Sequence, residues 1–154
     1  MNLLVTVADD GVRVPLARRR VTEIARAVLR SERVGGARLS ITFVNNRRIA
    51  ALNRRHLGHR GSTDVISFCL TLDAPGAPLV GDIYIAPDVA RRNAMAHGVR
   101  VREELTRLVV HGVLHVLGFD HPGGDDRRDS AMWRRQEALV ASVTRRARGA
   151  RSAA

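Results

Sequence analysis

The sequence contains no lysine at all: its 26 basic side chains are every one arginine, set against 15 carboxylates for a formal net charge of +11. Long hydrophobic runs are also missing. No apolar stretch approaches the ~20 residues that a bilayer-spanning helix needs, and the N-terminus lacks the basic stretch, apolar segment and small-residue cleavage site of a secretory leader. The expectation is a cytoplasmic protein with no membrane partner. A single cysteine, Cys69, excludes a disulfide framework within the chain, and its place in the apolar run 65–70 predicts a small buried hydrophobe in a reducing compartment. Aromatic residues make up only 3% of the chain, so aliphatic side chains must carry the core.

What is present is ordinary for a folded protein. Hydrophobic residues account for 45% and charged residues for 27% of 154 residues, a composition that gives no reason to expect wholesale disorder. A chain of this length buries roughly 70% of its unfolded surface, which suits one domain, placed here at 1–147 with a flexible basic tail at 148–154. The arginine excess favours a polyanionic partner, because the guanidinium fork matches phosphate oxygens in pairs. Codon bias toward G and C explains arginine over lysine equally well, but explains the positive sign less well. Runs such as Arg18-Arg19-Arg20, Arg127-Arg128 and Arg145-Arg146 read first as solvated helix faces.

Residues 3–7 read as a strand closed by Asp9-Asp10-Gly11, and Pro15 announces a first helix whose buried face is Val21, Ile24, Ala25, Val28 and Leu29, ended by Gly35-Gly36. Residues 39–44 alternate as a strand. Asn45-Asn46 then caps a helix carrying Ile49, Leu52 and Leu57. Residues 65–70 and 80–86 flank a loop rich in proline and glycine and suggest an antiparallel pair, after which Pro87 suits the first turn of a helix. From Arg102 to Leu117 the pattern is helical, opening on Glu103 and Glu104 and apolar almost all round from Leu108, so this helix should be central and buried. A last helix is expected from Asp126 to Arg146. Strands gathered early and helices late argue for an α+β fold, a small sheet packed against a helical layer. Sheet order does not follow from the sequence.

The informative stretch is His111-Gly-Val-Leu-His115-Val-Leu-Gly118-Phe-Asp120-His121. Four helical residues advance about 400° and rise roughly 6 Å, which puts His111 and His115 on one face one turn apart. Gly118 can adopt the left-handed conformation that reverses the chain and returns His121 as a third nitrogen ligand. Three histidines without cysteine suit an open zinc site, whereas closed structural sites complete four ligands, commonly with cysteine. Two histidines within an otherwise apolar helix would also strand polar groups in the core, which a metal relieves. Asp120 could orient a ligand, or simply form the turn. Imidazole ligands suit other transition metals as well, so zinc is the preferred rather than the required ion.

Zinc proteases with the pattern His-Glu-x-x-His-x-x-Gly-x-x-His share this spacing, but use the glutamate as general base. Gly112 stands there in this chain. Loss of a general base forfeits about 10²–10⁴ in rate, so a protein substrate is not expected.

The string His-Gly-x-Leu-His-x-Leu-Gly-Phe-Asp-His resembles the signature of the bacterial YbeY family of rRNA maturation endoribonucleases. Thr63-Asp64-Val65-Ile66-Ser67-Phe68 is similar to the family's Thr-Asp-Val-Leu-Ser-Phe, and Gly81-Asp82-Ile83 to its Gly-Asp-Ile strand; Leu52-Asn53 and Met132 match too. The resemblance spans roughly residues 50–137. It implies that His111, His115 and His121 ligate one zinc ion, that the fold is a mixed sheet of about four strands packed with helices, and that single-stranded RNA is cleaved during ribosome maturation, with rRNA and the ribosome or its small subunit as partners. One position departs: where the family reads Leu-Asn-x-x-Tyr-Arg-Gly, with the arginine contacting RNA, this chain reads Leu52-Asn53-Arg54-Arg55-His56-Leu57-Gly58. Leu57 occupies the arginine position, and Arg55 or Arg60 is then the candidate phosphate contact. The alternative is a non-catalytic RNA- or ribosome-binding assembly factor with a structural metal.

Overall fold

The structure, a computed structural model, describes residues 2–58, 63–119 and 130–153, excluding the side chains of Leu57 and residues 150–153. The described elements run β1 (Leu3–Asp9), α1 (Arg18–Ser31), β2 (Ala37–Phe43), α2 (Asn46–Leu57), β3 (Val65–Cys69), β4 (Leu79–Ile85), α3 (Pro87–His97), α4 (Val101–Val116) and α5 (Ala131–Ala153). The fold is α+β, with one mixed four-stranded sheet in the order β1-β2-β4-β3. β1 pairs with β2 and β2 with β4 in parallel, while β3 and β4 form the expected antiparallel pair, with Val65 opposite Ile85 and Cys69 opposite Gly81.

The helical periodicity of α1 is realised in full: Val21, Ile24, Ala25, Val28 and Leu29 are all completely buried. The helix stops earlier than its glycines suggested. Arg33 adopts a left-handed φ of 58°, and the Arg33 and Val34 N–H groups donate to the carbonyls of Arg30 and Leu29 at 3.0 and 2.9 Å. Two closed terminal carbonyls offset the roughly 1–2 kcal/mol that the left-handed conformation costs a residue with a Cβ. Gly35-Gly36 serves the turn into β2 instead. At α2 the expected cap is present, the Asn45 side chain accepting from the Arg48 N–H at 2.8 Å, and Pro87 opens α3.

Alternation along the strands sends Ala37, Leu39, Ile41 and Phe43 of β2, with Ile83 and Ile85 of β4, into the core shared with α1, α4 and α5. A second apolar cluster, Val44, Ile49, Leu52, Ile66 and Ala86 with Phe68 and Tyr84, brings α2 against β3 and β4. α4 is the central helix, packed on α1, α3, α5, β3 and β4, and its buried residues cover most of its circumference.

Two glycines let α4 approach the sheet closely. A Cβ at Gly112 would lie 2.7 Å from Ile83 Cγ2 and 3.3 Å from Ser67 Oγ, and one at Gly81 would lie 2.7 Å from Val116 Cγ2. Where the backbones are this close, the Ser67 hydroxyl donates to the Gly112 carbonyl at 3.1 Å.

Two further readings change. Cys69 is exposed, not buried, because it ends an edge strand, where a side chain has neighbours on one side only; its thiol donates to Thr71 Oγ1 at 3.4 Å. The last helix continues to Ala153 rather than ending near Arg146. Among the described residues, no helix is long and apolar enough to cross a membrane.

Candidate functional site

α4 presents His111 and His115 side by side, their ring centroids 4.5 Å apart and their planes at 71°. Both are half-buried, whereas Gly112, Val113, Leu114 and Val116 around them are buried. The pair therefore lies on the one stripe of α4 that the core leaves partly open. This corrects the expectation of polar groups stranded inside an apolar helix.

Gly118 ends α4 as the spacing predicted, with a φ of 97°. The N–H groups of Gly118 and Phe119 donate to the carbonyls of His115 and Leu114, both at 3.0 Å, the two-bond closure of a left-handed helix terminus. The chain is thus turned just after the pair. His121 and Asp120 lie outside the described residues, as does Arg60; among the described residues no group of three or more metal-ligating side chains is present. Arg55 is exposed on α2 and does not line the cleft beside His111. Leu57 ends α2, followed by Gly58 in the left-handed conformation.

His111 is held by a residue that the motif does not contain. Its Nδ1 lies 2.6 Å from Gln136 Oε1, and an amide oxygen only accepts. The Nδ1 therefore donates, an arrangement that suits Nε2 as the metal-binding nitrogen. Gln136 is only 2% exposed. Its amide donates to Glu137 Oε2 at 3.1 Å, and Glu137 receives Arg107 through Nε at 2.9 Å and NH2 at 3.0 Å. A chain of polar contacts thus runs from Arg107 of α4 through Glu137 and Gln136 of α5 to His111. The signal for Gln136 was available: a lone amide within the α5 stripe of Met132, Leu139, Val140 and Val143, all buried.

Burial would raise the Glu137 carboxyl, but hydrogen bonds from Arg107 and Gln136, with the Arg107 charge, outweigh it and hold the group below its ordinary value of 4.5. The same contact raises Arg107. A depressed carboxyl contributes stability that is complete above its unfolded value and is lost as pH falls through the folded one. Accordingly, the melting-temperature advantage of wild type over Glu137→Gln is expected to be full near neutral pH and to shrink progressively as pH falls below the ordinary carboxyl value of 4.5. A difference that persists unchanged in acid would exclude this account.

Beside His111 lies a cleft of about 480 Å³ lined by α3, α4, α5 and the segment before β3, including Asp64, Asn93, Glu104 and Trp133. Asn93 Nδ2 donates to Asp64 Oδ2 at 3.2 Å. On the other face of the sheet, His56 stands edge-on to Phe68 at 5.1 Å and Phe68 edge-on to Tyr84 at 6.1 Å, which explains an aromatic ring at position 56.

Fold and site together define an α+β domain whose central helix carries a ligand-type histidine pair at the edge of a cleft. The chain belongs to the family described as Endoribonuclease YbeY, whose model matches residues 7–144. It is 36% identical over 151 residues to the Endoribonuclease YbeY of Frankia alni, covering 91% of this chain and 82% of that one. It is 34% identical over 151 residues to that of Bacillus licheniformis, covering 91% and 94%, and 41% identical over 144 residues to that of Anaeromyxobacter dehalogenans, covering 90% and 72%. The solution structure of TM1509 from Thermotoga maritima matches with a TM-score of 0.63 at 24% identity, covering 98% of this chain and 96% of that one, and has the same fold.

Proposed function

We propose that the protein is a zinc-dependent, single-strand-specific endoribonuclease of rRNA processing and ribosome maturation, acting in the cytoplasm with one zinc ion on His111, His115 and His121. The observation that carries this reading is the adjacent His111–His115 pair with Gln136 accepting from His111 Nδ1, in a family named for endoribonuclease activity. The donor set fits the ion: two imidazoles one helical turn apart, the first oriented by a buried amide. Bound there, the ion supplies Lewis acidity toward a phosphodiester and activation of water near neutral pH.

The chain's own contribution is positional. Gln136 orients the His111 ring, and the Arg107–Glu137 pair holds Gln136 in place. Arg55 and Arg60 are the cations proposed to hold the phosphodiester in a chain that has Leu57 at the family's arginine position. The arginine excess draws single-stranded RNA and the small ribosomal subunit, with an affinity that falls steeply with salt.

Leu57 favours one rival, a non-catalytic RNA- or ribosome-binding assembly factor with a structural metal. Purified protein incubated with single- and double-stranded RNA separates the two. Cleavage of the single strand is expected, reduced to background in His115→Ala with RNA binding retained. RNA binding without cleavage under any divalent metal would favour the assembly factor.

A further inference from the structure

Glu104 lies on α4 two turns before His111, roughly 10 Å along the helix axis, and is only 7% exposed. No hydrogen bond or salt bridge joins its carboxylate to another described residue; Arg107 and His97 attract it through space, and Asp64 and Glu137 repel it. It lines the cleft beside His111, together with Trp133. The carboxylate opens onto the cleft, and the partial burial it undergoes there raises the Glu104 carboxyl above its ordinary value. Among the described residues this side chain has no hydrogen-bond partner, and a ligand entering the cleft would supply one.

The chemistry of the cleft narrows the ligand. With Arg107 paired to Glu137, Asp64 and Glu104 leave the walls acidic and disfavour a phosphate inside the cleft, in a chain whose net charge is +11. A carboxylate only accepts, through two oxygens side by side. Guanine matches this with N1–H and the 2-amino group adjacent on one edge, whereas adenine and cytosine set a single amino group beside a ring nitrogen that would face the carboxylate lone pair to lone pair. Unstacked bases of single-stranded RNA are read in this way, by edge hydrogen bonds with a face laid on an aromatic ring. Ser130 Oγ accepts the Trp133 backbone N–H at 3.1 Å, anchoring the first turn of α5 that carries the indole. The volume falls within the ~300–1,000 Å³ usual for small-ligand sites.

We infer that the cleft is a nucleobase subsite for one unstacked guanine, its Watson–Crick edge donating to Glu104 and its face set against Trp133. The inference deepens the nuclease reading, since the base would belong to the strand whose phosphate lies at the histidine pair.

Trp133 is the only tryptophan in the chain, so its fluorescence in the full-length protein reports this cleft alone, and calorimetry gives a second measure of binding. Guanosine monophosphate should quench saturably and bind about tenfold or more tighter than the adenosine, cytidine and uridine monophosphates, the discrimination a good two-bond contact provides. Ribose 5-phosphate, which has no base, should not quench. Glu104→Gln, which puts an amide donor opposite the ligand's donors, should remove the guanine preference while melting no lower than wild type. Equal binding of all four nucleotides, or quenching by ribose 5-phosphate as strong as by guanosine monophosphate, would overturn the subsite. No nucleotide binding by either method, with single-stranded RNA still cut, would overturn the subsite and leave the nuclease. Guanine-selective binding without cleavage under any metal would uphold the subsite and remove the nuclease.

Discussion

Gly112→Glu is expected to unfold the domain, not to turn it into a peptidase. The substitution restores the glutamate of the zinc-protease pattern, and on the sequence alone it reads as a gain of a general base. In the structure position 112 faces the sheet, where even a Cβ would lie 2.7 Å from Ile83 Cγ2, and Ile83 is completely buried. Overpacking a core costs about 1–3 kcal/mol. A carboxylate driven in without a partner adds several more, a large share of the ~5–15 kcal/mol by which a domain is stable. Thermal melting and limited proteolysis should show loss of cooperative unfolding. A variant that melts like wild type, or one that digests casein, would show that position 112 opens to the site after all.

The second large effect is expected from Gln136→Leu. Leucine fills a similar volume at a position only 2% exposed, so the helix packing survives, but it removes the acceptor 2.6 Å from His111 Nδ1. The ring loses the partner that keeps its proton on Nδ1. Loss of such an outer hydrogen bond lowers metal affinity or activity by about 10–100-fold. Zinc affinity, measured by competition with a chelator, should fall by this factor and RNA cleavage with it, while the melting temperature of the metal-free protein changes little. Unchanged zinc affinity in the leucine variant would mean that Gln136 supports the fold and not the ligand.

Much of the architecture was legible in the residues because it rests on local physics. The buried stripe of α1, the apolar circumference of α4, the Asn45 cap and the Gly118 reversal follow from helical periodicity and helix-end hydrogen bonding, which neighbouring residues settle among themselves. His111 and His115 belong to the same class, since a spacing of four on a helix puts two side chains on one face whatever surrounds it. Readings failed where an end or an environment is set from elsewhere. Arg33, not Gly35-Gly36, turns the chain after α1 because two backbone bonds outweigh the cost of its Cβ. Cys69 is exposed because β3 is an edge strand, a matter of sheet order that no run of apolar residues reveals.

By itself the sequence determined an α+β fold, a central helix, and a histidine pair aligned on that helix, all consequences of periodicity along the chain. Only the tertiary structure decided that strand order is β1-β2-β4-β3, that glycine at 112 serves close packing on β4, and that Gln136 and Glu104 flank His111 in one cleft. Those facts depend on contacts between residues distant along the chain, and such contacts leave no local pattern to read.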